Sequence, residues 1–392
     1  MLLKSPIAIT SLASLSPLGN DLETIWQSYL QPETAIVEQL VGKTKALIAP
    51  LPLHNKEIID SIRQSDSKYK QLDDSVLFAI ATSRQAIEKA GWEKGSQFGI
   101  NIGSSRGATQ LFEQHHAEFL LTGKTNTLTS PTTTLGNISS WVSHDLQSKG
   151  PEISHSITCS TSLHALINGV AWLQAGLESK FLIGGSEASL TEFTLAQMRA
   201  MKIYAKKNEA FPCRAFDLEK TANTMVLGEG AAVICLETGQ YDNALGYVEG
   251  VGYATEMLVH NSSMSTEADC LQQSMKMALG NLPATAVDVL VTHSPGTKLG
   301  DSSESRAIEK IFGSQLPLLT NNKWKIGHTF GASGILSIEM ALLMLKHNQF
   351  IPVPFLPIQK QTKKIERVLV NAVGFGGNAV SILVTVNLQN RR

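Results

Sequence analysis

Ile153-Ser154-His155-Ser156-Ile157-Thr158-Cys159-Ser160-Thr161-Ser162-Leu163 is the stretch on which the reading of this chain turns. Apolar residues alternate from Ile153 to Ile157, the period of a strand, and Leu163, Leu166, Val170 and Leu173 then recur at helical spacing. The pattern predicts a thiol, Cys159, at a strand-to-helix corner. A cysteine there meets the positive end of the helix dipole and unpaired backbone N–H groups, which favour thiolate over thiol and can hold an oxyanion. Most unpaired cysteines are simply small buried side chains, so the corner needs company before it means catalysis.

Two distant segments supply it. Val291-Thr292-His293-Ser294-Pro295-Gly296-Thr297 follows a buried-strand pattern over Val287 to Val291, which places His293 where a strand runs out into a loop. Lys323-Trp324-Lys325-Ile326-Gly327-His328-Thr329-Phe330-Gly331-Ala332-Ser333-Gly334 leads into an apolar helix from Ile335 to Leu345, with His328 at its glycine-flanked opening. Each histidine alone reads as a structural residue. With Cys159 they form a Cys/His/His set, every member at an element end where side chains can converge.

Six blocks then stand in one order: Ser16-Pro17-Leu18-Gly19-Asn20; Cys159-Ser160-Thr161-Ser162; Arg214-Ala215-Phe216-Asp217 followed by Gly228-Glu229-Gly230-Ala231; His293-x-x-x-Thr297-x-x-Gly300-Asp301-x-x-Glu304; Lys323-x-x-x-Gly327-His328-x-x-Gly331-Ala332-x-Gly334; and Gly374-Phe375-Gly376-Gly377. In these the chain resembles the β-ketoacyl synthases, the elongating condensing enzymes of fatty-acid and polyketide assembly. The resemblance implies an α/β, thiolase-like fold of five αβαβα layers in two similar halves. The halves would be residues 1–240, with the nucleophile, and residues 241–392, with both histidines; a polar, turn-rich stretch from Thr238 to Ala244 lies between them. It also implies decarboxylative Claisen condensation and no cofactor, the substrates riding on the phosphopantetheine of an acyl carrier protein. A homodimer is usual, or a heterodimer with a chain-length-factor-like subunit.

Roles follow from the same resemblance. Cys159 would take the acyl chain, with the N–H groups of Cys159 and Phe375 as oxyanion hole. His293 and His328 would hold the malonyl thioester carbonyl, while Lys323 and Glu304 would form a buried charged pair behind them. Phe375 would gate the nucleophile on a hinge of Gly374, Gly376 and Gly377. Arg199, Lys202, Lys206, Lys207, Lys68 and Lys70 would meet the carrier protein, and Arg106 falls where the acyl pocket is lined. Some positions depart from the family pattern. The segment from Arg214 to Gly228 is two residues longer and has Lys220-Thr221-Ala222-Asn223-Thr224 where Arg-Asp-Gly is usual. Asn378-Ala379 replaces Thr-Asn, and Tyr253-Ala254-Thr255-Glu256-Met257 lacks the second gating sequence.

Composition agrees. With 392 residues, 43% of them hydrophobic, the chain can bury a large core in two or three domains. A formal net charge of −1 points to neither nucleic acid nor a bulk membrane partner. The four cysteines make no CxxC pair and the ten histidines no HExxH, so disulfides and zinc are not expected, in keeping with a cytosolic protein. The first ten residues do not read as a signal peptide, and no run approaches ~20 apolar residues. Strand-like and helix-like runs alternate, which predicts an α/β fold with substantially parallel strands.

Rival readings are weaker. Gly103-Ser104-Ser105-Arg106-Gly107 satisfies G-x-S-x-G, the signature of a serine hydrolase with Ser105 as nucleophile, but leaves the other blocks unexplained. A degradative thiolase would carry a second cysteine in the C-terminal glycine loop, an initiating synthase an asparagine in place of His328, and a chain-length factor no Cys159.

Overall fold

The computed structural model describes residues 1–134, 137–206, 208–257 and 264–386. Its main sheet contains β1 (Leu2–Leu15), β2 (Gly99–Gly103), β3 (Glu152–Ile153), β4 (Lys180–Glu187), β5 (Gly230–Thr238), β6 (Gly246–Thr255), β7 (Val289–Val291), β8 (Leu318–Thr320), β9 (Arg367–Gly374) and β10 (Asn378–Thr385). Six helices pack on it: α1 (Asp74–Ala90), α2 (Asn137–Leu146), α3 (Thr161–Gln174), α4 (Asp269–Leu279), α5 (Lys298–Phe312) and α6 (Ser333–His347).

The chain order β1-α1-β2-α2-β3-α3-β4-β5 recurs as β6-α4-β7-α5-β8-α6-β9-β10. Spatial order repeats too. From the central β1/β6 contact outward the strands run β1-β5-β4-β2-β3 on one side and β6-β10-β9-β7-β8 on the other. In each array the two inner pairings are antiparallel and the two outer ones parallel. The sheet is therefore mixed, a correction to the parallel expectation. Strands covered on both faces read as continuous apolar runs whichever way their neighbours point.

Three apolar cores fill the spaces between layers. One lies beneath α1 and α2, with Val76, Ile80, Ile100 and Val233. Another lies beneath α4 and α5, with Leu271, Met275, Ile308 and Leu369. The largest surrounds α3 and α6, sandwiched between the arrays. Leu163, Leu166, Val170 and Leu173 all bury there, as their spacing predicts. Helix α6 is buried from Ser333 to Leu345 on every side, which accounts for its apolar character all round.

The predicted strand before the nucleophile stops early, at Ile153. Beyond it side chains tie the chain locally: Ser154 Oγ accepts from Ser139 N (3.1 Å), while His155 bridges the Asn101 amide (3.0 Å) and the Thr161 carbonyl (3.1 Å). A second, three-stranded sheet joins Val37–Val41, Thr44–Ala49 and Leu227–Gly228. His328 pairs with Leu227 at its margin.

Candidate active site

Helices α3 and α6 direct their N-termini to the same place. Ser162 Oγ, in the first turn of α3, accepts from Ile335 N of α6 at 3.2 Å. Cys159 lies in the tight turn Thr158–Ser160 that opens α3, and His328 just before the turn Phe330–Ala332 that opens α6. Two positive dipole ends thus face one cavity of about 390 Å³, lined by Cys159, His293, His328, Phe330, Ser303 and Phe375 among others. Thr158 (φ 47°), Ser294 (φ 25°) and Phe330 (φ 42°) are all left-handed. Each such residue costs of order 1–3 kcal/mol, and strain of this kind gathers at functional sites.

His293 is aimed by its backbone. Its N–H donates to Glu304 Oε1 (2.9 Å), and Ser294 gives both its N–H (2.8 Å) and its hydroxyl (3.0 Å) to Glu304 Oε2. Asn371 Nδ2 donates to the same carboxylate at 3.2 Å. A second carboxylate, Asp301, takes Gly296 N (3.1 Å), Phe216 N (2.7 Å) and Lys220 Nζ (2.7 Å). The departure at Lys220 thereby becomes a buried ion pair pinning the histidine loop. His328 is held by donating its N–H to Val226 O (2.7 Å) and accepting from Gly228 N (3.1 Å). The imidazole centroids lie 5.3 Å apart at 84°, and neither Nδ1 has a partner among the described residues.

Lys323 and Glu304 are both buried, but not as the expected contact pair. Lys323 Nζ donates to Asn322 Oδ1 (3.1 Å) and Ser337 Oγ (3.5 Å), since Glu304 is occupied with the His293 loop. The two act on each other through space: burial lowers Lys323 to about 8, and the Glu304 charge opposes that. Burial first, and Lys323 second, pushes His328 down to about 3. His293 is driven well below the ordinary histidine value by burial and by both neighbours. The two rings are neutral at pH 7.

For Cys159 the expectation of a favoured thiolate is corrected. Burial, then the Glu187 carboxylate, pushes the thiol up to about 12, outweighing Lys323, the backbone N–H and Arg106. Glu187 is fully buried and accepts from Ser105 N (2.8 Å), Gly331 N (2.9 Å), Ser104 Oγ (3.0 Å) and Arg106 N (3.1 Å). The Gly103–Gly107 turn therefore wraps a carboxylate. Among the described residues no histidine bonds to Ser105, so the hydrolase reading has no triad.

Phe375, about one-third exposed, caps the cavity from the β9–β10 hairpin. A Cβ at Gly374 would overlap the Thr158 hydroxyl, while Gly376 (φ 100°) and Gly377 (φ 68°) adopt backbone that only glycine takes cheaply. Thr158 Oγ1 donates to Phe375 O at 3.4 Å, joining hairpin to nucleophile turn. Arg106 stands one layer back: its guanidinium lies 5.8 Å from the Phe330 ring and donates to Gln197 Oε1, and its Nε is buried without a partner among the described residues.

Arg199, Lys202 and Lys206 line one groove with Lys45, on the segment whose Met201 and Ile203 line the cavity. Lys68 sits elsewhere, paired with Asp66 at 3.6 Å, with exposed Lys70 close by in the chain; Lys207 lies outside the described residues. Glu187, Asn371, Ser303 and Phe330 were not singled out from sequence. Only Phe330, inside a quoted block, carried any signal. Among the described residues no three His, Cys, Asp or Glu side chains gather as metal ligands, and no helix is long and apolar enough to cross a membrane.

Residues 4–241 match the Beta-ketoacyl synthase, N-terminal domain, and residues 245–356 the Beta-ketoacyl synthase, C-terminal domain. The chain is 26% identical to a 3-oxoacyl-[acyl-carrier-protein] synthase 2 of Coxiella burnetii, over 97% of this chain and 99% of that one. It is equally similar, at 26%, to the protein of that name from Staphylococcus aureus (strain COL), over 96% and 97%. Its fold superposes on the ishigamide ketosynthase/chain length factor with a TM-score of 0.85, at 18% identity and coverage of 98% and 99%. A Beta-ketoacyl synthase from Burkholderia phymatum STM815 gives 0.84, at 21% identity and coverage of 98% and 100%. Since the two matched domains take in well over half of its length, the chain belongs to the β-ketoacyl synthase family.

Proposed function

We propose that this chain is a β-ketoacyl-[acyl carrier protein] synthase serving fatty-acid or polyketide/polyene assembly. The observation that carries the reading is one cavity shared by Cys159 and two neutral imidazoles whose Nδ1 atoms have no partner among the described residues. In the first step the Cys159 sulfur attacks the thioester of an acyl carrier protein. Its carbon–sulfur bond to phosphopantetheine breaks, the Cys159 proton passes to the departing thiol, and an acyl-enzyme remains. Amide N–H groups of Cys159 and Phe375 would meet the transient oxyanion at the α3 N-terminus.

Malonyl carrier protein then binds with its thioester oxygen against His293 and His328. Loss of CO₂ leaves an enolate, whose charge the imidazole N–H groups receive without a permanent ion in the pocket. The enolate carbon attacks the acyl carbonyl, the bond to sulfur breaks, and the Cys159 thiolate so released takes a proton from water. No cofactor takes part. Glu304, Asn371 and Lys323 are positioning residues, and the groove of Arg199, Lys202 and Lys206 suits an acidic carrier protein.

Exposed Phe112, Phe119, Leu120 and Leu121 on the helix Thr109–Thr122 favour a partner subunit, a second copy or a related chain. The ishigamide structure is named as a ketosynthase/chain length factor; in such a pair this chain, which has the nucleophile, would be the catalytic member. Intact-mass measurement after incubation with acyl carrier proteins tests the reading. An acyl adduct should form and vanish on adding malonyl carrier protein, and Cys159→Ala should form none; an adduct of equal yield on that variant would refute the assignment.

A further inference from the structure

Ser303 lies in the second turn of α5, fully buried, and lines the cavity it shares with Cys159, His293 and His328. Its hydroxyl has no hydrogen-bond partner among the described residues. Its helical neighbours do: Ser302 Oγ donates to Leu299 O (3.1 Å) and Ser305 Oγ to Glu309 Oε1 (3.0 Å). The other polar side chains of the lining are already engaged. Asn223 donates to Lys202 O (2.9 Å) and accepts from Lys298 N (2.8 Å), while Thr297 accepts from Gly300 N (3.2 Å). A buried hydroxyl left unpaired carries a desolvation cost that a ligand would relieve.

We propose that Ser303 donates to the free carboxylate of the malonyl extender, which makes it the residue that distinguishes an extender from a simple acyl group. This rests on the condensing reading above. With both imidazoles engaged by the thioester oxygen, Ser303 carries the one hydroxyl of the lining that, among the described residues, makes no hydrogen bond of either kind. The acidic residues flanking it do not repel the carboxylate strongly. Asp301 is paired with Lys220 and two backbone N–H groups, and the Glu304 oxygens are taken up by His293, Ser294 and Asn371.

A neutral donor also suits the chemistry. A lysine or arginine at this position would hold the carboxylate charge in place and so oppose its transfer to the thioester oxygen as CO₂ leaves. A single hydroxyl recognises the carboxylate without fixing it, an interaction of the ground state rather than of the transition state. Removing it should weaken malonyl binding while leaving the chemical step no slower.

The test compares non-hydrolysable amide analogues of malonyl- and acetyl-pantetheine by calorimetry, together with condensation kinetics. The parent should bind the malonyl analogue more tightly than the acetyl one. In Ser303→Ala that preference should fall about tenfold, and KM for malonyl carrier protein should rise about tenfold with kcat undiminished. Ser303→Thr, which keeps the hydroxyl, should retain the preference. An unchanged preference in Ser303→Ala, or a fall in kcat at constant KM, overturns the proposal. If the parent forms no acyl-enzyme at Cys159, the condensing reading falls and this one with it; if it loads and condenses while Ser303→Ala behaves as the parent, only the role of Ser303 is lost.

Discussion

Cys159 is buried deeply enough for its thiol to sit at about 12, so on the proposed reading a standing thiolate is not what attacks the carrier thioester. The exchange replaces one thiol by another, and the proton can follow the departing sulfur while the helix terminus holds the oxyanion. Glu187 belongs to the same balance: after burial, its carboxylate is the next cause that keeps the resting thiol protonated, and burial raises Glu187 itself to about 7. On the proposed reading the histidines carry the other half of the chemistry. His293→Ala and His328→Ala should still accept an acyl group from carrier protein, yet lose decarboxylative condensation by about 10²–10³-fold, the typical cost of one oxyanion donor. Single-turnover assays separate the two steps, and native condensation by either variant would end that histidine's donor role.

At the hairpin of β9 and β10, glycine is required for reasons of space as well as conformation. A Cβ at Gly374 would press on the Thr158 hydroxyl and the Ile157 carbonyl, the turn that presents the nucleophile. Gly374→Ala should therefore displace Phe375 and the Cys159 turn together. Overpacking of this kind costs typically 1–3 kcal/mol, and acyl loading should slow at least tenfold with little change in the remote cores. Loading at the parental rate would mean that hairpin and turn move apart freely. The Gly-Phe-Gly-Gly block was legible as a turn because φ values of that kind leave a glycine signature. Its contact with Thr158 was not, since the two are separated by more than half the chain.

Across the five layers, α6 runs through the middle and carries one acid, Glu339, into the core. Glu339 accepts from Ser14 Oγ of β1, has no partner for its other oxygen among the described residues, and is raised by burial to about 7. The folded state thus binds this proton more tightly than the unfolded chain, whose value is near 4.5. Its contribution to stability is full below about 4.5 and is lost as pH rises through about 7. Glu339→Gln should cancel that slope, shifting the stability difference from the parent by about 2 kcal/mol in the variant's favour between pH 5 and pH 8. Burial of His328 gives the parent an opposite slope below about 6.5, but both proteins share it. Denaturant melts at the two pH values measure the difference; parallel curves would place the Glu339 charge in water.

Cys159, His293, His328, the glycine hairpin and an alternation of helices with strands were readable in the chain, because apolar period and turn chemistry act over a few residues; β1, β6, β8, α2 and α4 did not stand out. The tenfold strand array was not. Its pairings, such as Ile7 with Thr238 and Val289 with Val368, join residues far apart, and a strand buried on both faces does not reveal the direction of its neighbour. Nor could the duplication be seen, since each half repeats a topology without repeating residues. The placement of Glu187 behind the thiol and the hydroxyl of Ser303, unpaired among the described residues, arise only when distant segments close on one cavity. Charge and hydrogen bonding there are governed by what has been excluded, water above all, and that exclusion is a property of the packed fold.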